Sequence, residues 1–472
     1  MRILLVATNR ERSPYPVAPL GALFVVGAAR AAGHQVEFLD LGTACLPELA
    51  LKRALAKSDF DLLAFGIRNL DNCWCFAPYS YFDEVRRLAE IVRGQFAGPL
   101  VLGGTGFSVS PQGWMRRLDA TCGIIGEGER VFVDVLARLE QGRPLDGVEG
   151  VILPQKNNAP VVPAPATAIE RLADLTEPAH DVCRYMRYQR HGGFIGVQTK
   201  RGCPFKCTYC IYPKLEGRRY RLRPPEAVAH EVAAVASIAG LRHFFFVDSV
   251  FNDPRGHALA VCRELTRRRL PVRWSAFCNP VGFDAELARA MAEAGCEAVE
   301  FGLDVASEKM LAALDKPFGQ REIRIALNAA HAAGLPFAVF LLFGGPTETW
   351  PDVEDTQKYL NDCAPANAVF ATLALRVYEN TPLVDIAVRD GQLSPGQDLF
   401  APAYYLSSAM TEDTEMKLDR IARRHEEWTS PVDWRRFVTR FGQKVTVLLN
   451  VRPQWKNLRS YGRHMRKQEP CP

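Results

Sequence analysis

The run Cys203-Pro204-Phe205-Lys206-Cys207-Thr208-Tyr209-Cys210 decides how this chain is read. Its C-x3-C-x2-C spacing sets three thiolates on one tight loop, a spacing that suits three corners of an iron–sulfur cube. Such clusters are normally held by four cysteines, and short C-x2-C runs supply them. No fourth cysteine follows nearby, so one iron is left without a protein thiolate. An open coordination position is where metal chemistry takes place, as catalytic zinc sites differ from structural ones. A zinc knuckle or buried structural thiols are the alternatives. Zinc wants a fourth Cys or His close by, and His191 lies before the run, on the far side of a predicted strand.

Composition bounds the rest. A chain of 472 residues, 48% of them hydrophobic, suggests two or three domains with real cores. The 13 cysteines show no disulfide framework. Ile3-Leu4-Leu5-Val6-Ala7 directly after Met1-Arg2 is too short for a secretory signal and reads as a buried strand. The longest apolar stretch, 20–29, is about half of a membrane span. Free thiols and an oxygen-sensitive cluster belong in a reducing compartment, so a cytoplasmic location is expected. A net charge of +5 does not call for a nucleic-acid partner. The cysteines outside the loop read as small buried hydrophobes, with Cys73 and Cys75, beside Trp74, the pair set apart.

The first part of the chain alternates predicted strands (3–7, 35–39, 62–67, 99–102, 123–125) with predicted helices (20–32, 49–56, 81–93, 131–141). Short buried strands alternating with helices imply a parallel doubly wound, Rossmann-like sheet with ligands outside the carboxyl ends of its strands. Those ends carry Thr8-Asn9-Arg10, Arg68-Asn69-Leu70-Asp71-Asn72, Gly103-Gly104-Thr105-Gly106-Phe107-Ser108 and Gly126-Glu127-Gly128-Glu129. Glycines let a backbone approach a bulky cofactor and turn its N–H groups outward. A nicotinamide site is the competitor, but no G-x-G-x-x-G follows the first strand.

This α/β domain is expected over 1–145. A linker punctuated by Pro154, Pro160, Pro163 and Pro165 is expected over 146–190, as an extended connection. Over 191–390, strands near 194–199, 243–247, 273–278, 298–302, 337–342 and 371–376 alternate with helices near 225–239, 256–268, 285–294, 321–333 and 351–361. By count this is a (β/α)6 partial TIM barrel, with chemistry at the carboxyl ends of its strands. The remainder, 391–472, reads as a mostly helical, basic segment. From Trp434 to Lys467 it has ten Lys/Arg and no Asp or Glu. Such a stretch suits anionic lipid or an acidic partner, but a solvated lid is the preferred reading.

The cysteine loop after the first barrel strand, with aromatic Tyr209 before the third cysteine, resembles the radical SAM superfamily. The resemblance implies a 4Fe–4S cluster on Cys203, Cys207 and Cys210 whose free iron takes the amino and carboxylate groups of S-adenosylmethionine. Reduction by an external flavodoxin- or ferredoxin-type donor then yields a deoxyadenosyl radical. It implies Asp248 for the methionine amine, with an Asx cap on the loop as the alternative, Glu300 in Val299-Glu300-Phe301-Gly302-Leu303-Asp304 for the ribose, and Ser307 for the methionine carboxylate. Gly344 and Gly345, in Phe343-Gly344-Gly345-Pro346-Thr347-Glu348, fall near the adenine. Arg376 would hold a carboxylate of cofactor or substrate, with a barrel-closing ion pair as the alternative. Tyr378 is a candidate substrate contact, with packing as the alternative; Glu379-Asn380 departs from the P-G-T-P-L that related enzymes carry there.

The N-terminal half resembles the cobalamin-binding domain of cobalamin-dependent radical SAM enzymes, and the resemblance spans about 1–390. Thr8, Asn9, Arg68, Asn69, Gly103, Gly104, Ser108 and Gly126 to Glu129 would line that cofactor. Many such domains carry D-x-H-x-x-G, whose His binds cobalt; here Thr8-Asn9-Arg10-Glu11-Arg12-Ser13-Pro14 has no histidine, and His34 reads as a surface residue. Arg68 would lie beneath the corrin and discourage a lower ligand, since guanidinium is always charged and a poor ligand; pairing with Asp71 or a propionamide is the alternative. The implied function is a methyltransferase acting on an unactivated carbon, less commonly phosphorus, of a small-molecule biosynthetic intermediate by way of methylcobalamin. A non-methylating cyclase, oxidase or ring-rearranging enzyme is the first rival, and a corrinoid carrier or sensor the second.

Overall fold

Ile3 and Leu5 of the first strand join one buried cluster, and Leu4 and Val6 join another, so both faces of that strand are covered. Side chains alternate along a strand, and a strand buried on both faces reads as a continuous apolar run. This computed structural model describes residues 1–13, 15–154, 167–238, 242–410, 413–431 and 455. By internal contacts the chain divides into two compact units. The first comprises Met1–Gln189 with Lys214–Gly217 and Asp398–Pro402; the second comprises the rest.

The first unit holds β1 (Arg2–Ala7), β2 (Gln35–Asp40), β3 (Leu62–Gly66), β4 (Leu100–Gly103), β5 (Cys122–Ile124) and β6 (Val151–Ile152), in the order β2-β1-β3-β4-β5-β6. All neighbours are parallel except the antiparallel edge strand β6. Residues 167–189, expected as an extended linker, instead pack on this unit. Ala179 belongs to one of its two cores and its N–H reaches Leu23 O at 3.0 Å. Gly27 makes the approach possible, because a Cβ there would stand 2.2 Å from Glu177 O. The Tyr188 hydroxyl then donates to Asp40 Oδ2 at 2.7 Å. Proline spacing misleads here because apolar residues after the prolines, Ala179 among them, cover a helix surface.

The second unit contains β7 (Ile195–Val197), β8 (Lys200–Arg201), β9 (Arg221–Leu222), β10 (His243–Phe246), β11 (Arg273–Cys278), β12 (Cys296–Asp304), β13 (Phe337–Phe343), β14 (Ala368–Leu373), β15 (Leu375–Arg376), β16 (Tyr404–Tyr405) and β17 (Trp428–Thr429). Its main sheet runs β17-β14-β13-β12-β11-β10-β7, all parallel. Helices separate successive long strands; in one of them Asp284 caps Ala285–Glu293 by accepting from Leu287 N, and Gly295 at φ +89° turns the chain into β12. The expected six strands are present, and short β17 adds a seventh.

The sixth strand ends at Leu373 rather than at Arg376. Ala374 takes φ +68°, which breaks the strand, and Leu375–Arg376 pairs antiparallel with Tyr404–Tyr405. Low in the sheet, Ala298, Ala338 and Ala368 lie on adjacent strands and form one cluster with Phe370 and Trp455. Apart from Trp455, the cationic stretch of the C-terminal segment lies outside the described residues. Among the described residues no helix is long and apolar enough to cross a membrane.

Candidate active site

The cysteine loop starts where β8 and β9 pair antiparallel, Lys200 with Leu222 and Arg201 with Arg221, so the excursion that carries the thiols is closed at its base. Gly202 at φ +93° makes the turn into Cys203, a backbone state that favours glycine. Cys203 is buried, and Cys207 and Cys210 are half-buried. Burial pushes the Cys210 thiol up to about 12, and the neighbouring Cys207 and Cys203 push it in the same direction. Cys207 is raised by burial as well. Three thiolates that crowd and desolvate one another need a polycation beside them, which is what iron supplies. Among the described residues no three His, Cys, Asp or Glu converge on a single ion. The donor set fits a cluster, in which each thiolate takes its own iron.

The loop is anchored from several sides. Thr208 N donates to Leu314 O at 3.1 Å and Leu383 N to Thr208 O at 3.1 Å. Asp248, expected to meet the methionine amine, holds the approach to the loop instead. It accepts from Thr199 N at 2.7 Å, Thr199 Oγ1 at 2.5 Å and Lys200 N at 3.2 Å, with Lys200 Nζ at 3.4 Å. It is 2% exposed.

The other residues expected at the cofactor also have partners within the protein. Glu300 lies four residues short of the carboxyl end of β12, and its Oε1 accepts from Trp455 Nε1 at 3.0 Å. Ser307 is a helix cap: its Oγ accepts from Met310 N at 3.2 Å, and its own N–H donates to Thr356 Oγ1. The N–H groups of Gly344 and Gly345 both donate to Glu348 Oε2, at 2.6 and 2.9 Å. Gly344 also needs its φ of +92°, and a Cβ there would stand 2.5 Å from Leu406 Cδ1. Arg376 donates to Val377 O and lies 4.8 Å from the ring of half-buried Tyr378.

Sequence reasoning missed two residues. Asp304, at the carboxyl end of β12, accepts from the Tyr209 hydroxyl and from Lys316 Nζ at 2.6 Å. Glu348 is fully buried, staples the glycine turn, and keeps Oε1 without a hydrogen-bond partner. The signal for Asp304 was its place as the last residue of the quoted strand. For Glu348 it was an acid four residues after the first of two glycines. Thr208 Oγ1 and Asn279 Nδ2 are likewise buried with no partner, so this unit's mouth holds polar atoms awaiting one.

In the first unit the strand ends gather differently from expectation. Thr8 turns inward, with N and Oγ1 both on Gly66 O at 3.2 and 3.3 Å. A Cβ on Gly104 would stand 2.5 Å from Ile67 O, and one on Gly106 2.6 Å from Asn69 C, so these glycines admit the neighbouring loop. Gly103 O accepts from Ile67 N at 2.8 Å. Ser108 Oγ accepts from Gly126 N at 2.9 Å, Glu127 Oε2 accepts from Ile169 N at 3.0 Å, and Gly128 and buried Glu129 open the helix Gly128–Glu140. Asn9 Oδ1 is buried without a partner. Arg68 is exposed and donates to Asn69 Oδ1 at 3.3 Å, while Asp71 Oδ1 accepts from Cys73 N. The unanswered oxygen of Asn9 and the exposed guanidinium of Arg68 fit a large amide-bearing ligand at this rim.

Residues 197–360 match the family model of the Radical SAM superfamily, and residues 8–136 that of the B12 binding domain. The chain carries a Radical SAM domain and a B12 binding domain. It joins a cobalamin-binding domain to a radical SAM core, and its cofactors are a 4Fe–4S cluster, S-adenosylmethionine and cobalamin. An uncharacterised methyltransferase of Pyrococcus horikoshii is 27% identical over 76% of this chain and 77% of its own length. Tryptophan 2-C-methyltransferase of Streptomyces laurentii is 26% identical over 72% of this chain and 67% of its own. The fold is that of the radical SAM methyltransferase TsrM from Kitasatospora setae, solved with cobalamin and a 4Fe–4S cluster: TM-score 0.85, 23% identity, 99% of this chain and 98% of that one. The cobalamin-dependent radical enzyme OxsB shares it with TM-score 0.76 and 15% identity, over 99% of this chain and 71% of its own.

Proposed function

We propose that this chain is a cobalamin-dependent radical SAM methyltransferase that places a methyl group on an unactivated carbon of a small-molecule intermediate. The observation that carries the reading is a three-thiol loop and a B12-binding domain in one chain, an arrangement spanned by relatives named as methyltransferases. When bound, the cluster and S-adenosylmethionine supply reductive radical generation, and cobalamin supplies a methyl carrier. Cys203, Cys207 and Cys210 would hold the cluster, and Asp248 keeps the strand before them in place. Arg68, whose guanidinium has no carboxylate partner among the described residues, would face the corrin from below in place of a histidine. Tyr378 is the residue we assign to the substrate side, and an external flavodoxin- or ferredoxin-type donor supplies the electron.

The substrate is small on this reading; TsrM itself has been solved with tryptophan as substrate. A second reading has specific support. Anaerobic magnesium-protoporphyrin IX monomethyl ester cyclase of Rubrivivax gelatinosus is 24% identical over 79% of this chain. Anaerobic turnover with methyl-labelled S-adenosylmethionine separates the two. Label in the product is expected, and an unlabelled product without an added methyl group would favour the cyclase-like reading.

A further inference from the structure

Between Gly302 and Asp304 the pairing of β12 with β13 shifts register, and Asp304 takes φ +65°. A bulge of this kind re-aims a side chain, and a left-handed non-glycine residue persists only where its surroundings demand it. The re-aimed carboxylate meets Lys316 Nζ at 2.6 Å, with the two side chains only 13% and 6% exposed. Lys316 Nζ also approaches Gly302 O at 3.4 Å and lies 6.0 Å from the Tyr209 ring and 5.2 Å from the Phe318 ring. Tyr209 sits between two of the cluster cysteines and donates its hydroxyl to the same carboxylate. The backbone of the Lys316 turn is tied to the loop as well, through Leu314 O and Thr208 N. A buried ion pair is thus built against the metal-binding loop, and its two charges bear on Cys207 and Cys210 with opposite signs.

We propose that Lys316 and Asp304 are positioning residues that set the reduction potential of the cluster with opposite signs, Lys316 raising it and Asp304 lowering it, while Tyr209 couples the pair to the loop. Reduction adds negative charge to the cluster. A neighbouring cation stabilises that state and a neighbouring carboxylate opposes it, and burial keeps both effects from being screened. Net charge and hydrogen bonding around the sulfurs are among the levers by which a protein moves such potentials.

The inference rests on the assignment of Cys203, Cys207 and Cys210 to a 4Fe–4S cluster. The test is an EPR-monitored redox titration of the anaerobically reconstituted full chain, without S-adenosylmethionine, in wild type, Lys316→Met, Asp304→Asn and the double variant. Lys316→Met is expected to move the midpoint to a more negative value, Asp304→Asn to a more positive one, and the double variant to return toward wild type. Should Lys316→Met fail to hold a cluster, the double variant, which leaves no buried charge unpaired, is compared with Asp304→Asn; a lower midpoint in the double variant supports the proposal. Single variants that shift in the same direction, or midpoints indistinguishable among fully loaded proteins, overturn it. A wild-type chain that shows no 4Fe–4S signal overturns the cluster assignment itself, a separate failure.

Discussion

Glu300 is a carboxyl in the interior of a strand, with one indole N–H as its recorded donor. Burial pushes it from its ordinary 4.5 to about 7, against the lowering effect of Trp455. Glu348 is raised to about 7 by the same cause, although two backbone N–H groups pull the other way. For both groups the native chain keeps a proton that the unfolded chain releases. Their contribution to stability is therefore complete below 4.5 and is lost as pH rises through about 7. Glu300→Gln keeps an acceptor for Trp455 and removes one titration. Denaturant midpoints of that variant should fall less between pH 5 and 7 than those of wild type; parallel profiles would refute the assignment. At the metal loop, any one of Cys203→Ala, Cys207→Ala or Cys210→Ala should abolish the iron–sulfur absorbance and turnover together, and retained turnover would sink the cluster reading.

Elements show where local pattern and long-range packing part company. The strand periodicities were legible because each strand is a short apolar run, and the cysteine spacing was legible because all three donors lie on one loop. The loop after β4 was read as open to a cofactor, yet Gly104 and Gly106 serve the neighbouring loop at Ile67 and Asn69. Gly104 combines φ +100° with a Cβ position 2.5 Å from a carbonyl oxygen. Gly104→Ala should therefore destabilise the first unit by roughly 1–3 kcal/mol, a cost typical of such backbone strain, measured as a shift in its unfolding transition. In the second unit, three alanines on adjacent strands leave the space that Trp455 fills. Small residues at one level of a sheet cannot by themselves announce which distant side chain will occupy the gap. Trp455→Ala should cost about 3–5 kcal/mol, as large-to-small core changes do, and it strips Glu300 of its donor. Thermal unfolding of the full chain measures this, and a change under about 1 kcal/mol would argue against a packed indole.

At the scale of the whole molecule, the chain consists of two units with separate hydrophobic cores, each matching its own family model. Loss of one cofactor should then leave the other's unit folded. Cys203→Ala is expected to retain the visible spectrum of bound cobalamin while losing that of the cluster; simultaneous loss of both would mean that the units do not fold independently. Arg68→Ala should keep cobalamin bound but change its axial coordination as read by absorbance and EPR, and an unchanged spectrum would remove Arg68 from beneath the corrin.

The amino-acid sequence alone determined the two α/β halves, their order and the loop of three thiols. Those features are written in local spacing and in a period of two or of 3.6 residues, which need no knowledge of distant contacts. Only the tertiary structure decided which polar residues stand at the mouth. Asp248 turned to the backbone before the cysteine loop, Glu300 to an indole 155 positions away, and Ser307 to a helix end. Asp304 came forward through a register shift and a left-handed backbone. The reason is physical: a buried carboxylate goes where donors compensate its desolvation, and those donors come from strands and loops that only folding brings together.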